Sequence, residues 1–150
     1  MIYLAGSLRN PQIPITARDL AKATGYNVFS DWYAAGPEAD DYWKTYYRDM
    51  APRDMSEAEK YQWALQQPAS KNTFSFDHRH IMNSRLMVLQ LPAGKSGHLE
   101  LGWFLGQGKP GIIYLNDEDV RWDIMYQYAT AVVTNFDELC EEIGKHRGTL

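Results

Sequence analysis

Five short apolar runs divide the chain, at residues 1–5, 26–30, 85–91, 111–115 and 129–133, and each is followed by a turn signal or a polar break. Runs this short, with little polar alternation, belong to strands buried on both faces, as in a parallel sheet covered by helices. The intervening stretches have helical spacing. Thr16 reads as a helix cap, followed by Ala17, Leu20, Ala21 and Thr24 on one face and closed by Gly25, while Pro11 and Pro14 keep the preceding loop from running on as helix. After the break at residues 34–37 come two polar and aromatic helices, at about 38–50 and 56–67, the second opened by Ser56 with Glu59 at the capping-box position. Neither has a clean apolar stripe. A further helix from about residue 72 carries Phe74, Asp77, Ile81 and Ser84 toward one side, and another carries Leu99, Leu101, Trp103, Phe104 and Leu105. Residues 116–119 form an acidic turn, residues 121–128 read as helix, and Asn135 with Glu138 makes a capping box for a last helix ending near Gly144.

Strands alternating with helices predict an α/β fold: one domain over residues 1–150, built on a doubly wound, five-stranded parallel sheet in three layers, flavodoxin-like or Rossmann-like, in the order 2-1-3-4-5. Residues 38–70 read as an excursion over one side of the sheet, a lid or an oligomer contact. In this order the loops after strands one and three face each other. Ser7, Arg9 and Asn10 then come near the loop containing Gly94 and Gly97, and that loop delivers Glu100 into the first turn of the next helix. A carboxylate there is expected to be ionised, because unpaired amides and the helix dipole favour its charge, and a charged carboxylate suits a nucleophile. The competing reading is an acid that merely stabilises a helix start. Asp77, a little over one turn before Ile81 and Met82, is placed at its helix edge with a route to the same cleft, or else serves as a cap. The segment Gly94-Lys95-Ser96 has the tail of a P-loop, but Leu89 stands where the first glycine must be, which excludes a triphosphate cradle. His78 and His80 diverge on a helix and His98 is remote, so no metal site is expected.

Composition narrows the partners. In 150 residues, 15 Lys plus Arg face 19 Asp plus Glu, for a net charge of −4, which argues against a nucleic-acid-coating surface and against an anionic membrane. A small ligand is the better expectation. The single cysteine, Cys140, has no partner, which rules out internal disulfides and is in keeping with a reducing cytosol. Nothing at the start resembles a signal peptide, and no apolar run approaches the roughly 18 residues of a membrane span. Ten Tyr, five Trp and five Phe are unusually many, and those interleaved with charges at residues 40–48 cannot all face a core; half-buried rings of this kind serve subunit interfaces or stack on planar ligands.

Several short segments together resemble the nucleoside 2-deoxyribosyltransferases and their relatives, the deoxynucleoside monophosphate N-glycosidases, over nearly the whole length. They are Ile2-Tyr3 with the loop Gly6-Ser7-Leu8-Arg9, Asp77 ahead of the third strand, Glu100-Leu101-Gly102-Trp103, Gly108-Lys109-Pro110, and Asp123-Ile124-Met125. The resemblance implies that Glu100 attacks the anomeric carbon of a nucleoside and that Asp77 assists protonation of the departing base. It implies further that Tyr3 holds the nucleophile, and that a second base or water resolves the glycosyl ester with retention. It also implies a homo-oligomer with a shared active site, in which Asp123 reaches a neighbour's sugar 5′-hydroxyl and Met125 lies beside it. No cofactor is implied. The chain departs from the transferase pattern at Gly94, where many carry an aspartate, which leaves Ser96 and His98, backed by Asp31 or Trp32, to contact base or sugar. The Gly-Ser-Leu-Arg loop resembles that of the monophosphate hydrolases, in which serine and arginine grip a 5′-phosphate, whereas an acid at 123 would repel one. The leading expectation is an unphosphorylated nucleoside with a free nucleobase as co-substrate; the alternatives are a 5′-monophosphate N-hydrolase and a catalytically silent nucleotide sensor.

Overall fold

The computed structural model describes residues 1–115, 121–148 and 150. Its strands are β1 (Ile2–Ala5), β2 (Val28–Phe29), β3 (Leu86–Gln90), β4 (Gly111–Tyr114) and β5 (Ala131–Val133), and its helices α1 (Ile13–Thr24), α2 (Glu38–Met50), α3 (Glu57–Leu65), α4 (Pro68–Asn83), α5 (Lys95–Gly106) and α6 (Phe136–Lys145). The strands form one sheet in the order β2-β1-β3-β4-β5, every pair parallel. This is the expected order. The acidic turn at residues 116–119 lies outside the described residues.

Alternation along the buried strands sorts the core into two layers. Ile2, Leu4, Leu86, Val88 and Ile112 point to one face, where Ile13, Ala17 and Leu20 of α1 and Leu139 and Ile143 of α6 cover them. Tyr3, Ala5, Met87, Leu89 and Ile113 point to the other, against Ile81 of α4 and Leu101 and Phe104 of α5. Each fully buried Leu, Ile or Phe contributes roughly 1.5 to 3 kcal/mol, so these two faces hold the fold together. Lys109 fastens the second layer: its Nζ donates to the carbonyls of Met82 and Ser84 at 2.8 and 3.0 Å, at the end of α4, and lies 5.0 Å from the centre of the Phe104 ring.

The ends of several elements differ from expectation. Helix α1 starts at Ile13, with a proline in its first turn, where a missing N–H costs nothing; Thr16 is a buried first-turn residue instead of its cap. In the same way Pro68 opens α4, four residues ahead of the predicted start. Asp77 is therefore mid-helix and caps nothing. The segment at 121–128 is a 3-10 helix at Ile124–Tyr128, not an α-helix. The Ser56 and Glu59 capping box forms in full. At α6 only half does: Asn135 accepts from the Glu138 amide, but the Glu138 carboxylate bonds the Thr134 amide, one residue early. Of the apolar residues that mark α5 in the sequence, Leu99 is 74% exposed, and the core contribution of the helix comes from Leu101 and Phe104.

Helices α2 and α3 form a hairpin whose cohesion is aromatic. Trp43 meets Tyr47 and Tyr61 edge-on, Tyr47 meets Trp63, and the Trp43 indole donates to Ser70 Oγ at 2.8 Å, which in turn donates to the Ala64 carbonyl at 2.6 Å. No residue of α2 is fully buried, and Tyr42 and Tyr46 stack on its open side. Among the described residues no helix is long and apolar enough to cross a membrane.

Candidate active site

The carboxyl ends of β1 and β3 meet where strand order reverses, the place at which open α/β sheets hold ligands. Two glycines let the loops there come close. A Cβ on Gly6 would stand 2.4 Å from Ile13 Cδ1 and 3.2 Å from the Gln90 carbonyl; one on Gly97 would stand 2.7 Å from Leu89 Cδ1 and 3.8 Å from the Gly6 amide. With only hydrogens at both positions, α5 starts directly beside the β1 loop.

Three predicted residues converge behind these loops. Tyr3, 1% exposed on β1, donates its hydroxyl hydrogen bond to the Glu100 carboxyl of α5, and Asp77 of α4 lies close enough to act on both. Burial raises the Tyr3 phenol well above its ordinary range, and the two neighbouring acids raise it further, so it stays a donor.

Glu100 corrects two expectations. It is the sixth residue of α5, which starts at Lys95, so it lies beyond the first turn and out of reach of the unpaired amides that were to hold its charge. Its carboxyl is also not held ionised: burial, and then repulsion from Asp77, push it from 4.5 up to about 8, against the opposing pull of the Tyr3 hydrogen bond. Asp77 is raised as well, by burial, with His80 pulling it back. Two partly buried carboxyls that repel each other share protons, so near neutrality the pair keeps one. The arrangement holds one acid that can give a proton, one carboxyl that can become a nucleophile, and a phenol that steadies the anion.

The remaining predicted residues surround this centre unevenly. Ser7 accepts from the Arg9 amide at 3.1 Å, which shapes the β1 loop, and buried Asn10 ties the loop to the Leu91 carbonyl at 3.4 Å. The Arg9 guanidinium is exposed and ion-paired with Asp41 of α2. Asp31 opens a 3-10 helix after β2 and faces solvent, while the indole of Trp32 donates to the Leu4 carbonyl at 2.9 Å and closes over the end of β1. Gly94 caps α5, and its carbonyl holds His98 Nδ1 at 2.7 Å; the other ring nitrogen lies 2.8 Å from the Tyr126 hydroxyl, with the two rings stacked. Ser96 faces solvent in the first turn of α5, and Gly97 is buried. Asp123 caps the second 3-10 helix by accepting from the Met125 amide at 2.8 Å, and Met125 is exposed.

Four residues at the site escaped the sequence reading. Asp41 and Tyr126 are far in sequence from Arg9 and His98, and nothing local marks them. Phe29 stacks on Tyr3 at 5.5 Å across neighbouring strands, a contact that only the register creates. His80 was legible, because it follows Asp77 at the three-residue spacing that puts both on one helix face.

A doubly wound parallel sheet, with two half-buried carboxyls and a buried phenol at its switch point, defines the class: a flavodoxin-like, three-layer α/β fold. A solved structure shares the fold. It is a 2-deoxyribosyltransferase from the psychrotolerant bacterium Bacillus psychrosaccharolyticus, described as a biocatalyst for synthesis of antiviral and antitumoral nucleosides; it matches 92% of this chain and 88% of its own, with a TM-score of 0.58 at 15% identity. No protein-family model and no curated protein sequence matches the chain.

Proposed function

We propose that this protein exchanges or removes the base of a 2-deoxynucleoside through a covalent glycosyl ester on Glu100. The observation that carries the reading is the convergence of Tyr3, Asp77 and Glu100 at the switch point, with the Tyr3 hydroxyl donating to Glu100. In the first step the single proton of the pair sits on Asp77, the Glu100 carboxylate this leaves bonds to the anomeric carbon, and the bond from that carbon to the base nitrogen breaks. Its electron pair leaves with the base, which takes the proton of Asp77. In the second step an incoming base, or water, attacks the same carbon, returns its proton to Asp77 and frees Glu100. Two displacements retain configuration. The shared fold of a 2-deoxyribosyltransferase supports this choice of substrate.

The ion pair of Arg9 with Asp41 favours an unphosphorylated nucleoside over a 5′-monophosphate, because the charge that would grip phosphate already has a carboxylate partner, with Asp40 and Glu38 nearby. The test is to mix a deoxynucleoside with a different free base and follow both by chromatography, with water alone and with the 5′-monophosphate as parallel arms. A new nucleoside, or free base in water alone, is expected from wild type, and neither from Glu100→Gln. Absence of both products from wild type across purine and pyrimidine substrates refutes the reading, and equal turnover by Glu100→Gln refutes the covalent route.

A further inference from the structure

Helices α4 and α5 carry the two carboxyls, and the cleft between them is shut at one end. Lys109, just ahead of β4, bonds the Met82 and Ser84 carbonyls and so sets the end of α4 at the amino edge of the sheet. The earlier turns of α4 therefore rise toward the carboxyl edge, where α5 begins. Just below the carboxyls, the His78 ring of α4 meets the Trp103 ring of α5 edge-on, at 4.8 Å and 69°. Trp103, one turn after Glu100, is anchored on the second core layer. Above the carboxyls no ring contact and no hydrogen bond joins the two helices among the described residues, and Gly94 at the head of α5 has open space where a side chain would be. Phe74 stands at this opening. It lies one turn before Asp77 and about 60° around α4 from it, on the side of His78. His78 backs its ring in a near-parallel stack, 5.3 Å between centres at 12°, yet Phe74 is 67% exposed. Ser96, one turn before Glu100 and exposed, faces the same opening from α5.

We propose that Phe74 is the surface on which the nucleobase stacks, a substrate contact that holds the base by its face while an edge meets Asp77. The inference rests on the glycosyl-transfer reading for the identity of the ligand. A flat apolar ring, supported from behind by His78 and left in water beside an acid, is uncovered surface that a planar ligand would cover. The ring also does what the reaction needs of a base site: it keeps the departing base against the group that protonates it and sets the incoming base in the same plane. Every nucleobase has a π-face, so a site built on stacking accepts purines and pyrimidines alike, and the Ser96 hydroxyl is the group at the opening that can read an edge.

Phe74→Leu keeps an apolar side chain and removes the flat ring; Phe74→Tyr keeps the ring. Both sit at an exposed position and leave the core untouched. Adenine and cytosine, which carry no sugar and cannot be turned over alone, are titrated into wild type and both variants by calorimetry, with the Phe74 ring protons followed by NMR. Each base is expected to shift those protons in wild type, to bind Phe74→Leu about tenfold more weakly, and to bind Phe74→Tyr within about twofold of wild type. Equal affinity for Phe74→Leu and wild type overturns the proposal, as does a wild type that binds neither base. If instead Phe74→Leu leaves base affinity unchanged but sediments as a smaller species, the ring, with Leu99 nearby at 74% exposure, covers a second copy of the chain and the proposal falls. If wild type turns over no deoxynucleoside yet Phe74→Leu weakens both bases, the glycosyl-transfer reading fails alone and the stacking surface stands.

Discussion

Replacing Glu100 with glutamine should make the protein more stable, by an amount that grows with pH. The carboxyl moves from 4.5 in the unfolded chain to about 8 in the fold, so the native state binds this proton more tightly. Wherever the native state holds more protons than the unfolded one, stability falls as pH rises. Below 4.5 both states are protonated and the site costs nothing. Above it the cost mounts at about 1.4 kcal/mol per pH unit, reaching roughly 3 kcal/mol at neutrality, and it levels off above about 8. Glutamine has the same shape, still accepts from Tyr3 and carries no such cost. For a chain of this size roughly 3 kcal/mol is about 6 to 12 °C in Tm. Thermal melts of wild type and Glu100→Gln across the acidic to mildly alkaline range are the assay. The curves should converge near pH 4 and separate steadily toward pH 8, with the variant higher. A constant gap, or a wild type that melts higher at neutral pH, would refute the placement of Glu100 as a burdened acid. The stability forgone is what a site gives up to keep a reactive carboxyl out of water.

Three further outcomes follow from the same geometry. Because the reaction needs the pair to hold one proton, on Asp77, with Glu100 ionised, kcat/KM for base exchange should fall as pH rises through about 8 in the free enzyme, where the pair loses that proton; a profile that keeps rising over this interval argues against Asp77 as the acid. Tyr3→Phe keeps the buried ring and its stack on Phe29 but removes the donor that favours the Glu100 anion, so that fall should move to higher pH and kcat should drop about 10- to 100-fold with little change in melting temperature; an unshifted profile would separate Tyr3 from Glu100. Gly6→Ala puts a methyl 2.4 Å from Ile13 Cδ1, a side chain with no exposed surface to yield into, and should cost about 1 to 3 kcal/mol in denaturant titration; a neutral result would mean the β1 loop has room.

The chain's own pattern determined the architecture. Short apolar runs separated by helical spacing are legible because a buried parallel strand leaves a local record, and sheet order follows from the few ways such units wind. The capping box at Ser56 was legible for the same reason: donor and acceptor are three residues apart. The starts of α1, at Ile13 with Pro14 next to it, and of α4, at Pro68, were misread, because a proline that ends one helix and a proline that begins another look alike from local sequence. The candidate site divides along the same line. Residue types and motif spacing pointed to Tyr3, Asp77 and Glu100, but their meeting depends on three elements that only the packed sheet brings together. Arg9 with Asp41 and His98 with Tyr126 are pairs that no local spacing records. The protonation of Glu100 reversed the expectation because charge state is not carried by a residue: local helix position argued for an anion, whereas desolvation and the nearby Asp77, both products of tertiary packing, decide for the acid.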